Sequence, residues 1–199
     1  MEEPSSQISD TSDGMVGSHL AGHLVLERLG SSQESTVYRA RAKDDSGTVV
    51  LKVVHDARVG KEAAARLKFE YELLSSVKLK GSTRPLSFER APGLSILVIE
   101  DFRGIDLRVF ARRNQMALDS FFTLALGIVS GLSEIHDAML IHQDIKPPNI
   151  LVSPDDLRVQ IIDFSIATKL TRREPSLRDI QHLKGTPAYI APEQTGAMN

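Results

Sequence analysis

The segment that most limits how this chain can fold is Ile141-His142-Gln143-Asp144-Ile145-Lys146-Pro147-Pro148-Asn149-Ile150-Leu151. It sets an acid, a cation and a carboxamide at fixed offsets, and a second acid follows in Ile162-Asp163-Phe164. Two short β-prone runs, 150–152 and 159–162, lie between the groups and are joined by the turn Pro154-Asp155-Asp156. Any fold that uses these groups together must bring the loop and the far end of that hairpin into one crevice. In-line phosphoryl transfer calls for such a set. A carboxylate orients the attacking hydroxyl, a cation neutralises the moving phosphoryl group, and an amide and a second carboxylate hold Mg²⁺. Taken singly, Asp144 would read as a turn or capping residue and Asp163 as an exposed turn; their company argues for chemistry.

The stretch resembles the catalytic loop of eukaryotic-like protein kinases, H-R-D-L-K-x-x-N, followed by D-F-G. That resemblance implies an α+β, protein-kinase-like two-lobed fold, with a β-rich N-lobe and a C-lobe that is α-helical and incomplete here. It implies ATP and Mg²⁺ as cofactors and a Ser/Thr hydroxyl of a protein as acceptor. Under it, Asp144 is the catalytic base and Lys146 faces the γ-phosphate, a lysine more like that of Ser/Thr than of tyrosine kinases. Asn149 and Asp163 are the metal ligands. Lys52, ending Val49-Val50-Leu51-Lys52, resembles the lysine of V-A-I-K that holds the α- and β-phosphates. A lysine among apolar neighbours needs an anionic partner. Glu70 suits that pairing and Glu72 is the rival; two residues apart on a helix, they face different ways. Ile99-Glu100-Asp101-Phe102 resembles the adenine-binding hinge, with Ile99 as gatekeeper and Asp106 in reach of the ribose. Leu29, Gly30, Val37, Glu100, Phe102 and Leu151 complete the implied nucleotide site. Gly185-Thr186-Pro187-Ala188-Tyr189-Ile190-Ala191-Pro192-Glu193 resembles the end of an activation segment, and Thr186 would bond near Asp144 and Lys146.

Composition is that of an ordinary globular chain: 199 residues, 41% hydrophobic and 25% charged. A formal net charge of −2 gives no electrostatic case for nucleic acid or an anionic membrane. The absence of cysteine excludes disulfides and thiolate metal sites. The apolar run Phe121–Val129 is too short for a membrane span, which takes about 20 residues. With no signal peptide in the acidic N-terminus, the chain reads as cytoplasmic.

Three segments follow. Residues 1–18 are polar and read as a disordered tail; 19–100 form the N-lobe and 101–199 the C-lobe. In the N-lobe, Leu24–Leu29, Thr36–Ala42, Thr48–Val54 and Ser95–Ile99 read as strands. Lys61–Lys78 reads as an amphipathic helix with Ala64, Leu67, Tyr71 and Leu74 inward. Asp119–Met139 reads as a long helix, capped by Asp119 or Ser120, with Phe122, Leu126, Val129, Leu132 and Ile135 as its apolar stripe.

The chain also departs from the family pattern. The nucleotide-covering loop Gly30-Ser31-Ser32-Gln33-Glu34-Ser35-Thr36-Val37 keeps only Gly30 and Val37 of G-x-G-x-x-G-x-V, and Glu34 near its tip would repel phosphate. Gln143 stands where the family has arginine, and Ser165 where it has the glycine of D-F-G. Thr171, Ser176 and Thr186 are candidates for phosphorylation in the segment that follows. The family's fold continues past Asn199, so a fragment or truncated product is expected. Its closing residues look like kinase modules fused to an ATPase and a sensor histidine kinase in large bacterial signalling proteins, which implies further signalling domains. The competing reading is a pseudokinase, a nucleotide-binding or docking module without catalysis.

Overall fold

A computed structural model describes residues 14–113, 116–170 and 185–192. The N-lobe is one six-stranded sheet: β1 (His19–Leu20), β2 (His23–Ser31), β3 (Thr36–Arg41), β4 (Thr48–His55), β5 (Pro85–Ala91) and β6 (Leu94–Glu100). The strands lie in the order β1-β2-β3-β4-β6-β5, and every neighbouring pair is antiparallel. Alternation in β4 explains why: Val49, Leu51 and Val53 enter a core with Val25, Tyr38, Ala40, Ile96 and Val98. From the other face Val54 meets Ala63 and Leu67 of helix α1 (Asp56–Ser75) and Leu97. Met15 packs against the sheet core, and the Gly17 N–H donates to the Val25 carbonyl at 2.9 Å. Residues 14–18 therefore belong to the folded lobe, which corrects the expected extent of the tail; 1–13 lie outside the described residues.

Gly60, at φ 82°, breaks α1, so its regular turns begin at Lys61, as the periodicity predicts. The helix ends at Ser75 rather than Lys78, because the Ser76 hydroxyl bonds back to the Leu73 carbonyl at 2.7 Å and closes the last turn. Leu73 and Leu74 then reach across to Ile135, Leu140, Ile161, Phe164 and Ala167. That shared cluster joins the lobes.

The C-lobe holds β7 (Ile105–Asp106), α2 (Leu107–Arg113), α3 (Leu118–Asp137), β8 (Leu140–Ile141), β9 (Ile150–Val152), β10 (Val159–Ile161) and β11 (Thr168–Lys169). The β9–β10 hairpin is where the sequence places it, and β7 adds to its edge. Residues 81–83, which link the N-lobe helix to β5, pair with β10. The Ile161 N–H donates to the Gly81 carbonyl at 2.9 Å, and the Thr83 N–H to the Ile161 carbonyl at 3.0 Å. A β-strand rung thus ties the lobes beside the segment that carries Asp163.

Helix α3 corrects two expectations. Its N-cap is Ala117, with no side-chain cap, so neither Asp119 nor Ser120 starts it. Its inward face is Leu124, Gly131 and Ile135, whereas Phe122, Leu126 and Val129 are more than half exposed. Close approach decides the face. A Cβ on Gly127 would sit 3.0 Å from Val159 Cγ2, and one on Gly131 would sit 3.1 Å from Ile161 Cδ1. Glycine carries no hydrophobic signal, so the periodicity points to the bulkier side. By length and composition α3 alone, among the described residues, could cross a membrane. Here it is seated on β10, and its Glu134 carboxylate accepts the Lys80 and Gly81 N–H groups at 2.6 and 3.1 Å.

Candidate active site

Strand register sets the roof of the site. Gly30 on β2 lies opposite Val37 on β3, and Val37 lies opposite Lys52 on β4. Three sequence-assigned positions therefore form one row across the sheet. The Lys52 ammonium sits 2.7 Å from Glu70 Oε2 and 2.7 Å from Asp163 Oδ1, joining β4, α1 and the C-lobe. Glu70 is buried, and its second oxygen accepts the Phe164 N–H at 3.1 Å. Glu72, the rival partner, pairs on the surface with Lys68 at 3.3 Å. Burial pulls the Lys52 ammonium down, but the charges of Glu70 and Asp163 outweigh it and hold the pKa well above the ordinary value. Burial also pushes the Asp163 carboxyl up, yet Lys52 and a bond from Ser165 bring it down to about 2. Ser165, the departure from the family's glycine, thus contributes to holding Asp163 ionised.

The loop below is as tightly organised. Thr186 Oγ donates to Asp144 Oδ1 at 2.8 Å and accepts from Lys146 Nζ at 2.7 Å, while Lys146 also reaches Asp144 Oδ2 at 2.7 Å. Burial alone would raise the Asp144 pKa; bonds from Lys146 and Thr186 and the lysine's charge hold it below the ordinary carboxylate range. The Asn149 amide donates to the Asp144 carbonyl at 2.9 Å and to Asp144 Oδ2 at 3.0 Å. Its nitrogen is committed to the loop, which leaves its oxygen as the donor for a hard cation. Gly185, at φ 108°, lets Thr186 approach: a Cβ there would lie 2.8 Å from the Gln143 carbonyl oxygen.

His142 is the residue the sequence assigned no role in the site. It is buried, edge-on to Phe164 with ring centroids 4.7 Å apart. The Asp144 N–H donates to its Nδ1 at 3.2 Å, so Nε2 bears the proton and donates to the Ile162 carbonyl at 3.0 Å. One neutral imidazole thus locks the Asp144 loop to the Asp163 strand end. Its place in the quoted motif was a signal available in the sequence. Burial holds its pKa below the ordinary 6.5. A depressed histidine binds no proton where the unfolded chain does, so its contribution to stability is present above about pH 6.5 and is lost as pH falls below it. The unfolding free energy of the parent should decline more steeply between pH 7 and pH 5 than that of His142→Gln. Parallel curves would contradict this.

A cavity of about 890 Å³ opens between these groups and is lined by Ser32, Glu34, Ser35, Lys52, Glu70, Asp144, Lys146, Asp163, Ser165 and Thr186, among others. All five assigned catalytic residues and Asp163 share it. Asn149 is joined to it through Asp144. The residues assigned to adenine and ribose lie outside its lining. Leu29 is exposed on β2 and Glu100 is exposed beside Arg84. Phe102 and Leu151 are brought together over Gly104, where a Cβ would meet the Phe102 ring at 2.7 Å and Leu151 Cβ at 3.0 Å. Asp106 accepts the Val109 N–H at 2.8 Å and so caps α2, a use its ribose assignment did not foresee.

The covering loop also differs from expectation. Glu34 is not a bare charge over the phosphate position: Arg66 of α1 pairs with it at 2.5 Å. Ser32 Oγ accepts the Glu34 and Ser35 N–H groups at 3.3 and 3.1 Å. The loop's own hydroxyl thereby takes donors that glycine-rich loops offer to phosphate. The remaining activation segment, with Thr171 and Ser176, and Glu193 with the closing residues lie outside the described residues.

Comparison with known proteins agrees with this geometry. The family description "protein kinase domain" matches residues 24–199. The serine/threonine-protein kinase pkn3 of Myxococcus xanthus is 32% identical over 92% of the chain. The serine/threonine-protein kinase ATG1c of Arabidopsis thaliana and ULK3 of Xenopus laevis are each 30% identical, over 89% and 90% of it. The chain spans 35%, 24% and 38% of the lengths of these three relatives.

Proposed function

Since the chain belongs to the protein kinase family, we propose that it transfers the γ-phosphoryl group of ATP to a serine or threonine hydroxyl of a protein. The observation that carries this reading is the Lys146–Asp144–Thr186 cluster facing the Lys52–Glu70–Asp163 cluster across one cavity. The acceptor hydroxyl approaches Asp144, whose depressed pKa keeps it ionised and ready to accept a hydrogen bond from it. As the acceptor oxygen bonds to the γ-phosphorus, the bond to the β–γ bridging oxygen breaks and ADP leaves. The proton passes to Asp144 and then to water. Lys146 lies against Asp144 and offsets negative charge on the moving group. Lys52, fixed by Glu70, holds the remaining phosphates in line.

Mg²⁺ suits the donor set. The Asn149 side-chain oxygen and the Asp163 carboxylate are hard ligands, and Mg²⁺ commonly takes one or two protein oxygens and completes its shell with phosphate and water. Among the described residues no three His, Cys, Asp or Glu side chains cluster to hold a metal by themselves. The ion would neutralise the phosphates; Asn149 and Asp163 would bind it. An ATP-dependent, cysteine-free chain fits a cytoplasmic setting.

The test is incubation with γ-labelled ATP and a generic protein acceptor, with and without Mg²⁺. Mg²⁺-dependent label on serine or threonine is expected. An ATP-induced melting shift without any label would favour the pseudokinase reading.

A further inference from the structure

The hinge carries one buried charge that the proposed reaction does not use. The β4–β6 ladder ends at the Val49–Glu100 rung, and the next backbone pairing begins at Ile105 on β7. Between them, residues 101–104 bridge the lobes outside any strand. Within that bridge the Asp101 side chain is only 3% exposed. Its Oδ2 accepts from Arg39 Nε at 2.8 Å and from Thr48 Oγ1 at 2.8 Å, and its Oδ1 accepts the Arg103 N–H at 3.0 Å. Arg103 donates in turn to Thr48 Oγ1 at 3.1 Å, and Arg39 also pairs with Glu27. The anchor therefore spans β2, β3, β4 and the hinge itself. Burial acts to raise the Asp101 pKa, but the three donors keep it below the ordinary carboxylate range.

From this network we infer that Asp101 is a positioning residue for the purine. It pins the hinge to the ends of β3 and β4, so that the backbone groups of Glu100 and Phe102 are held in fixed positions. The inference rests on the kinase reading, because it takes the hinge to read adenine by its backbone. Backbone recognition tolerates little displacement, since a hydrogen bond weakens steeply with misalignment. A buried carboxylate with three donors is a stiff anchor, because any movement would leave a charge without partners. The Phe102 ring and Leu151 both lie close against Gly104.

The anchor should govern affinity for the purine and not for the phosphates. Calorimetry with Mg·ATP, adenosine and Mg·tripolyphosphate as separate probes tests this on the parent, on Asp101→Asn and on the double variant Arg39→Met/Thr48→Val. The double variant withdraws the donors and leaves the hinge sequence intact, so it still answers if Asp101→Asn folds poorly. The expected result is an approximately tenfold loss of ATP and adenosine affinity in both variants, with tripolyphosphate binding within about twofold of the parent. A merely structural role would lower all three together or none. Equal ATP affinity in variants and parent, or equal losses for adenosine and tripolyphosphate, overturns the inference while the kinase reading stands. A parent that binds neither ATP nor adenosine overturns both.

Discussion

Replacing Asp144 by asparagine should reduce phosphoryl transfer by about a hundred- to ten-thousandfold while nucleotide binding stays near that of the parent. Asparagine has nearly the shape of aspartate, and its oxygen can still accept the Thr186 hydroxyl bond now made at 2.8 Å. What it loses is the negative charge proposed to orient the acceptor and receive its proton, and its amide nitrogen replaces the oxygen that now accepts from Lys146 and Asn149. Lys146 loses its ionic partner at 2.7 Å and keeps the Thr186 hydroxyl at 2.7 Å. Lys52, proposed to hold the phosphates, is untouched with its partners Glu70 and Asp163. The variant should therefore retain the ATP-induced rise in melting temperature and lose labelled product. Turnover equal to that of the parent would remove Asp144 as the base. Loss of the melting shift together with activity would place Asp144 in nucleotide binding instead.

The catalytic half of this site was legible because its chemistry resides in side chains at fixed spacing. Asp144, Lys146 and Asn149 sit within a single loop, so local sequence already fixes their proximity. Glu70 was separable from Glu72 on helical geometry, since only one of the two can face the β4 lysine while the other meets solvent and Lys68. Thr186 was placed beside Asp144 only through the family resemblance, because nothing local connects residues 42 positions apart. The hinge was less legible, because the recognition expected there uses backbone groups and leaves little side-chain signature. There the buried side chain is Asp101, whose partners Arg39 and Thr48 come from separate strands.

The misreading of α3 arises because sequence patterns record hydrophobicity, not close approach. Of the α3 stripe, Leu132 and Ile135 do pack inward, but Phe122, Leu126 and Val129 were chosen because they are large, whereas packing there followed Gly127 and Gly131. Strand β5 was not anticipated, since it opens on Pro85 and carries Glu89 and Arg90. That is permissible because β5 is at the edge of the sheet, where a missing N–H costs nothing in the ladder. Glu34 looked repulsive in isolation because its partner, Arg66, is 32 residues away.

Replacing Lys52 by methionine should be the most destabilising of these changes, at about 3 kcal/mol, and should also abolish most ATP-dependent stabilisation. The ammonium is shared by two carboxylates at 2.7 Å each. Methionine fills much the same volume but leaves the Glu70 side chain, 2% exposed, without its cation. Removing one member of a buried ion pair costs about 3–5 kcal/mol, chiefly through the charge left behind. The lower end applies here because the Phe164 N–H still donates to Glu70 at 3.1 Å, and Asp163 is the more exposed partner. The double variant Lys52→Met/Glu70→Leu, which removes the orphan charge, should recover part of the lost stability without recovering the ATP response. The pH dependence carries a definite sign. Asp163, which burial pushes up but Lys52 and Ser165 bring down from 3.8 to about 2, contributes stability in full above pH 3.8 and loses it as pH falls through about 2. The gap in unfolding free energy between parent and Lys52→Met should therefore be full at neutral pH and narrow across that acid window. Chemical denaturation at several pH values, with and without Mg·ATP, reads both effects. A variant as stable as the parent would mean the lysine is not the cation that neutralises the buried glutamate. An unchanged melting shift with ATP would instead take the phosphate contact away from Lys52, even if the ion pair holds the fold together.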